Sequence, residues 1–205
     1  MSNETAKKYS NAAKLYDIVE WPMEQLFFKR LRNKAVALAK GKVLEVGAGT
    51  GKNFAYYDRN SVELTAIDFS KGMLEFAEKM KVKMQWDSLK LFQMDLEHLS
   101  FEDDSFDCVV STFVFCTVPH PQQGLKEIMR VLKPGGKVIF LEHMKSNYTL
   151  INVFLWVMNL FSRRVLGTFM LRNTQKSIEE AGFEVRSVEY KLFDVIRLII
   201  AIKRQ

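Results

Sequence analysis

Cysteine is scarce in this 205-residue chain: there are two, Cys108 and Cys116, and no CxxC pair. Histidine is nearly as scarce, with three scattered residues. That poverty excludes a disulfide framework and argues against a structural zinc site, so no metal is expected. A reducing, cytoplasmic setting follows. Cys108 falls within an apolar run and is expected as a buried hydrophobe. Runs of basic residues are missing too. The net charge is +6, yet no Lys/Arg run exceeds two residues, so no basic arm for nucleic acid is expected. Four prolines and ten glycines do not gather into a linker, and no repeat or low-complexity segment is visible. Long hydrophobic runs are also lacking. The most apolar stretch, Leu150 to Phe161, is interrupted by Asn152 and Asn159. It falls short of the roughly 20 residues that a spanning helix needs, but suffices to lie on a membrane. The polar start, Met1 to Lys8, does not read as a signal peptide.

What is present is apolar bulk. Apolar residues make up 48% of the chain, with 16 Phe and 10 Met, enough for one sizeable core and suited to a pocket for a large hydrophobic molecule. Residues 1–40 read as helical. Ala12, Leu15, Tyr16 and Val19 follow helical spacing, Pro22 interrupts, and Met23 to Ala39 forms a second helical stretch bearing Lys29, Arg30, Arg32 and Lys34. These 40 residues are expected to form a helical, membrane-facing cap on a domain over residues 41–205, with a hydrophobic insertion at 146–172.

After residue 40 the periodicity switches. Strands are expected at Lys42–Val46, Val62–Ile67, Leu89–Met94, Asp107–Thr112 and Lys137–Glu142. Helices are expected at Lys52–Tyr57, Lys71–Lys81 (with Ser70 as N-cap) and Pro121–Leu132, and Lys133–Gly136 as a tight turn. Alternation of this kind predicts an α/β, Rossmann-like, doubly wound sheet with parallel strands. The tail differs. A helix at Thr174–Ala181 precedes strands at Phe183–Tyr190 and Phe193–Ile202, expected as an antiparallel hairpin at the sheet edge.

The chemistry-bearing pattern begins at Glu45-Val-Gly-Ala-Gly-Thr-Gly51. Glycines directly after a first strand let backbone approach a ligand closely. The spacing is not the G-x-G-x-x-G of dinucleotide binders, because position 52 is Lys. Glu45 would repel a pyrophosphate but suits a ligand with an ammonium group. Asp68 ends the second strand, where a carboxylate can accept ribose hydroxyls, and Asp95 ends the third, where an acceptor can meet an adenine amine. Acidic residues at three successive strand ends, beside a glycine turn, point to a cationic amino-acid nucleoside.

On these residues the chain resembles the class I S-adenosylmethionine-dependent methyltransferases. The matching pieces are Val43–Gly51, Ala66–Ser70 with Met73 and Leu74, Met94-Asp95, Ser105–Val109 and Arg130–Gly136, covering roughly residues 41–143. The resemblance implies S-adenosylmethionine as cofactor and S-adenosylhomocysteine as product. It implies that Glu45 and the glycines Gly47, Gly49 and Gly51 meet the methionine end, with Ala48 and Asn53 as further cofactor contacts. Asp68 would meet the ribose, and Phe69 and Met73 would sandwich sugar and base. Asp95 and Leu96 would meet the adenine, and Thr112 and Phe113 the sulfonium side. Tyr16-Asp17, Glu20–Glu24, Gly51–Asn53, Thr112–Cys116 and Leu141–His143 are similar to bacterial phospholipid N-methyltransferases and to membrane-associated methyltransferase-like thiol methyltransferases. Ubiquinone/menaquinone C-methyltransferases share the core, but usually carry a Leu-Arg-Asn-type stretch where this chain has Cys116-Thr-Val118.

The expected activity is therefore methyl transfer to a lipid-like acceptor, with phosphatidylethanolamine foremost, at the inner membrane face. A small hydrophobic thiol, phenol or quinone precursor is the alternative acceptor, and a cofactor-binding module without turnover the non-enzymatic one. Acceptor-side candidates are Tyr9, Tyr16, Glu20, His120 and His143. Tyr16 and His143 are the favoured catalytic pair, and Tyr16 also a cofactor contact; His120, between two prolines, is expected in a surface loop. Two apolar-aromatic segments flanked by cations suit an anionic bilayer: Trp21, Met23, Leu26, Phe27 and Phe28 near the start, and Phe154, Leu155, Trp156, Leu160 and Phe161 beside Arg163 and Arg164. Nucleic acid is not expected as a partner. Thr112-Phe-Val-Phe115 stands where a base methyltransferase would carry Asn/Asp-Pro-Pro-Tyr/Phe, and neither a Pro-Cys pair nor an RNA-binding domain is apparent.

Overall fold

The computed structural model describes residues 27–165 and 168–204, the side chains of 160–167 apart. Tyr9, Tyr16, Glu20, Trp21, Met23, Leu26 and the whole of the first helical stretch lie outside that range. The described chain begins with α1 (Lys29–Val36), whose inward face carries Arg32, Ala35 and Val36. It continues through β1 (Gly41–Val46), a 3-10 turn (Phe54–Tyr56), β2 (Val62–Asp68), α2 (Lys71–Lys83), β3 (Lys90–Gln93), β4 (Phe106–Thr112), α3 (Pro121–Val131) and β5 (Leu132–His143). It closes with α4 (Thr149–Val165), α5 (Thr174–Glu180), β6 (Glu184–Lys191) and β7 (Ile196–Ile202).

The strands form one sheet in the order β3-β2-β1-β4-β5-β7-β6. The first five are parallel. β7 runs antiparallel to both β5 and β6, so the expected hairpin closes the sheet, with β6 on the edge. Side chains alternate across the central strands and fill a core on each face. Leu44, Val46, Val109, Val138 and Phe140 meet Leu125 and Ile128 of α3 and Ile178 of α5. Val43, Val110, Ile139 and Leu141 meet Ala35 and Val36 of α1 and Ala77 of α2. Cys108 is buried among the second set, and burial pushes its thiol up to about 12. α1 lies against β4, β5 and the 3-10 turn.

Four local expectations are corrected. No α-helix follows the glycine turn, only the short 3-10 turn. β3 is shorter than expected, so Asp95 sits in the loop beyond it. The Lys133–Gly136 segment is a bulge within β5: Phe106 pairs with Leu132, Cys108 with Lys137, and the four residues between bow out. β7 begins at Ile196, because Leu192, Phe193 and Asp194 all take positive φ in the hairpin turn. Ser70 caps α2 as expected, accepting the Met73 N–H at 3.2 Å.

The two asparagines that break the apolar 150–161 stretch hold its neighbours in place. Asn152 exchanges hydrogen bonds with the backbone of Ser146, at 2.9 and 2.8 Å, and Asn159 accepts the Met170 N–H at 3.0 Å. Leu155 is buried, but Leu150 is 85%, Phe154 63% and Trp156 54% exposed. Among the described residues no helix is long and apolar enough to cross a membrane.

Candidate active site

The chain runs outward from β1 to β3, then returns to β4 beside β1. A crevice opens at such a reversal, beyond the carboxyl ends of the strands, and that is where open α/β sheets bind ligands. Here it is a cleft with about 890 Å³ of empty space, counting its mouth. Ten residues singled out from sequence line it: Gly47, Ala48 and Gly49 after β1, Asp68, Phe69 and Met73 after β2, Asp95 and Leu96 after β3, and Thr112 and Phe113 at the end of β4. Ile67, Met94, Val114 and Val118 add apolar wall, and Arg32 and Lys52 add cations.

The glycine turn follows from its backbone. Gly47, Gly49 and Gly51 all take positive φ, which suits residues without Cβ. A Cβ on Gly47 would stand 2.4 Å from a Val114 methyl, whereas one on Gly49 meets nothing within 4 Å, leaving bare backbone at the cleft. The N–H of Ala48 donates to the Ile67 carbonyl, that of Gly49 to Asp68 and that of Gly51 to the Ala48 carbonyl. Those amides therefore brace the turn within the protein rather than forming a nest for phosphate.

Asp68 is the other half of the brace. Its Oδ2 accepts Gly49 N–H and its Oδ1 accepts Ser70 N–H, both at 2.8 Å. Burial raises its pKa against the pull of those two N–H groups. A carboxylate offers about four acceptor positions, so two remain for ligand hydroxyls. Asp95 turns its Oδ1 to the Glu97 N–H at 3.0 Å, closing the loop that presents Leu96.

Glu45, Asn53 and Gly51 do not line the cleft; Glu45 and Asn53 lie buried behind it. Asn53 Nδ2 donates to Glu45 Oε1 at 2.8 Å and to Thr112 Oγ1 at 2.9 Å. Burial lifts the pKa of Glu45 to about 7, opposed by hydrogen bonds from Asn53 and Tyr57 and by the Arg32 charge.

Sequence reasoning missed two site residues. Arg32 reaches in from α1, donating from Nη1 to Thr112 Oγ1 at 2.8 Å and to Asn53 Oδ1 at 3.3 Å, and stacks over Phe113 at 4.9 Å. Its position among other basic residues of one helix gave no signal. Glu142, fully buried, accepts Ser111 Oγ–H at 2.8 Å and the N–H groups of Val114 and Phe115 at 3.1 and 3.2 Å, fixing the loop after β4. Burial raises its pKa to about 7. Phe113, at φ 59°, is held in that loop in a left-handed conformation.

His143 ends β5, half-buried and outside the cleft lining, with its ring 6.4 Å from that of Phe113. His120 is exposed and away from the cleft, at the N-cap of α3 without a side-chain cap bond. Among the described residues no cluster could hold a metal ion.

The residues present fit S-adenosylmethionine. Bare backbone at Gly49, hydroxyl acceptors at Asp68 and an apolar slot between Phe69, Met73 and Leu96 match an adenosine-bearing ligand, and buried Glu45 behind the turn adds negative charge suited to a cationic one. The comparisons agree: residues 44–140 match the methyltransferase-domain family. Sheet order, glycine turn and family match together define a class I S-adenosylmethionine-dependent methyltransferase domain, whose cofactor is S-adenosylmethionine.

Among individual relatives, the chain is 41% identical over 104 residues to a phosphatidylethanolamine N-methyltransferase of Cereibacter sphaeroides, covering 50% of this chain and 51% of that one. It is 37% identical over 142 residues to a demethylmenaquinone methyltransferase of Staphylococcus aureus, covering 65% and 58%. The chain thus spans about half the length of the curated relatives it matches. A solved S-adenosylmethionine-dependent methyltransferase from Thermotoga maritima superposes with TM-score 0.75 at 19% identity, over 97% of this chain and 99% of that one. The [4+2]-cyclase SpnF shares the fold as well, at TM-score 0.69 and 19% identity, over 86% and 80%. At such identities the likeness is one of fold.

Proposed function

We propose that the chain transfers a methyl group from S-adenosylmethionine to a lipid-like acceptor, by N-methylation of phosphatidylethanolamine at the inner membrane surface. The observation that carries the lipid reading is the apolar face of α4, where Leu150, Val153, Phe154, Trp156, Val157 and Met158 are exposed. An exposed helix face of this size marks an interaction surface, and its mix of aromatic and aliphatic residues suits the bilayer interface. Helix α4 follows the carboxyl end of β5, at the sheet edge that bears the cleft. The phosphatidylethanolamine N-methyltransferase relative supports the headgroup.

S-adenosylmethionine, when bound, supplies a methyl already activated on a sulfonium, so no metal or covalent nucleophile is needed. The chain's own work is alignment, which can supply up to roughly 7–11 kcal/mol when geometry is ideal. In this reading Asp68 holds the ribose, Phe69 and Met73 clamp sugar and base, and Asp95 and Leu96 hold the adenine. Glu45 and Asn53 act on the amino-acid end from behind the glycine turn, and Thr112 and Phe113 border the reacting methyl. An amine acceptor must shed its proton before attack. Tyr16, outside the described residues, and His143, beside Phe113, are the proposed acceptor-side groups.

A quinone precursor is the second reading. The demethylmenaquinone methyltransferase relatives match more of the chain, 65% against 50%. Incubation with methyl-labelled S-adenosylmethionine and a total lipid extract separates the two. Label in mono- or dimethylated phosphatidylethanolamine supports the leading reading; label confined to quinones moves the assignment there. Tight cofactor binding without turnover on any acceptor leaves a binding module.

A further inference from the structure

The loop after β4 supplies Phe113, Val114, Thr117 and Val118 to the cleft lining, and its backbone groups are sorted by charge. N–H groups face an anion: Glu142 accepts those of Val114 and Phe115. Carbonyls face a cation: Arg172 Nη1 donates to the Phe115 carbonyl at 2.7 Å and to that of Val118. Phe115 and Val118 are fully buried, where carbonyls need partners. Between them the Cys116 carbonyl accepts the Phe169 N–H at 2.7 Å, and the Phe169 ring lies 4.2 Å from the Arg172 guanidinium. The two charges come from different parts of the molecule. Glu142 belongs to β5, a strand with neighbours on both sides. Arg172 and Phe169 follow α4, and are tied to it by the Met170 N–H, which Asn159 of α4 accepts. The Arg172 carbonyl accepts the Lys145 N–H at 3.0 Å, closing the segment that carries α4 at its base. The loop therefore rests on the sheet on one side and on the α4 segment on the other.

We propose that Arg172 is a positioning residue for the methyl acceptor: from the α4 segment it holds the 113–118 loop in place as the acceptor-side wall of the cleft. The inference rests on the reading of this cleft as an S-adenosylmethionine site whose β4 end meets the acceptor. One charged donor bridging two carbonyls is a stronger hold than a pair of neutral hydrogen bonds. The loop needs such a hold, because Phe113 sits at φ 59°, a conformation that persists only where the surroundings over-determine it. Glu142 fixes the start of the loop and Arg172 its far half, so removing Arg172 frees the wall while the sheet and the rest of the cofactor cleft keep their shape. Helix α4 and the acceptor wall thereby form one mechanical unit.

Cys116 supplies the readout. It sits in the loop at 3% exposure, and the other cysteine, Cys108, is buried in β4 with its thiol pushed up to about 12. The 205-residue chain and its Arg172→Gln variant are pulse-labelled with N-ethylmaleimide, and the two cysteines are resolved by peptide mass spectrometry. Cys116 should react about tenfold faster or more in the variant, the scale of one hydrogen bond to a charged group, while Cys108 keeps its rate. Methyl transfer to phosphatidylethanolamine in phosphatidylcholine vesicles should lose about tenfold or more in kcat/KM for the acceptor, while Kd for S-adenosylhomocysteine stays within about threefold. Equal acceleration of both cysteines would mean a general loss of stability, and unchanged Cys116 labelling a loop that does not depend on Arg172; either overturns the proposal. So does S-adenosylhomocysteine affinity that falls as far as acceptor turnover. If Arg172→Gln fails to fold, Arg172→Lys carries the test. Its ammonium can reach the carbonyls but has no flat face for Phe169, so Cys116 should still react about threefold faster or more, and an unchanged rate overturns the proposal. Wild-type protein that leaves phosphatidylethanolamine unmethylated overturns the acceptor reading, and the two cysteine rates still decide the hold on the loop. Wild-type protein that does not bind S-adenosylhomocysteine overturns the reading of the cleft itself.

Discussion

Replacing Asp68 with alanine removes two things at once, and they can be read separately. In the free protein its two oxygens each hold one backbone N–H, from Gly49 and Ser70, at 2.8 Å. A hydrogen bond to a charged group contributes about 1.5–3 kcal/mol, but Asp68 is only half-buried, so water can replace part of each. A net cost near 2 kcal/mol is expected for the pair, or about 4–8 °C in Tm for a chain of this size. In the liganded state the same carboxylate is assigned the ribose hydroxyls. Losing one charge-assisted bond there weakens binding by about 10- to 150-fold. Asp68→Asn sharpens the test. Its amide can accept only one of the two N–H groups and turns an NH₂ toward the other, so its Tm should fall nearly as far as that of the alanine variant. Titration calorimetry with S-adenosylhomocysteine and thermal unfolding of each variant supply the two readings. A folded Asp68→Ala protein whose Kd stays within about threefold of wild type would refute the ribose assignment. An unchanged Tm would refute the brace between β2 and the glycine turn.

Other perturbations follow from the same geometry. Gly49→Val puts a branched side chain at φ 55°, where bare backbone faces the cleft; calorimetry should detect no S-adenosylhomocysteine binding, and tight binding would contradict the close approach. Glu45 has a pKa lifted to about 7, so its contribution to stability is present below the usual carboxyl range and is lost as pH rises through about 7. Glu45→Gln should therefore gain up to about 3 kcal/mol at pH 8 and lessen the decline between about pH 5 and 8 in urea unfolding, Glu142 supplying the remainder, while S-adenosylhomocysteine affinity falls. A slope identical to wild type would show that Glu45 does not titrate in that window. Phe154→Ser combined with Trp156→Ser, on the exposed face of α4, should weaken cosedimentation with anionic liposomes about tenfold or more at constant cofactor affinity. Undiminished liposome binding would remove α4 from the membrane contact.

Much of this protein was set by local sequence. Short apolar runs between helical segments marked the central parallel strands, because a strand covered on both faces is apolar almost throughout. Gly47, Gly49 and Gly51 marked the turn through backbone geometry, and Ser70 marked the start of α2 through its capping oxygen. Asp68 could be placed at the end of β2 by counting, whereas Asp95 proved to lie in the loop beyond a shorter β3. What sequence could not decide were relations between distant segments. Arg32 meets Thr112 from 80 residues away, and on its own helix it is one basic residue among several. Glu45 and Asn53 stand behind the cleft rather than in its wall because their side chains point into the packed interior at β1 and β4. The Lys133–Gly136 bulge exists because β5 keeps its pairing with β4 on both sides of it. Burial, charge pairing and register depend on what the rest of the chain brings alongside, and only the assembled sheet supplies those neighbours.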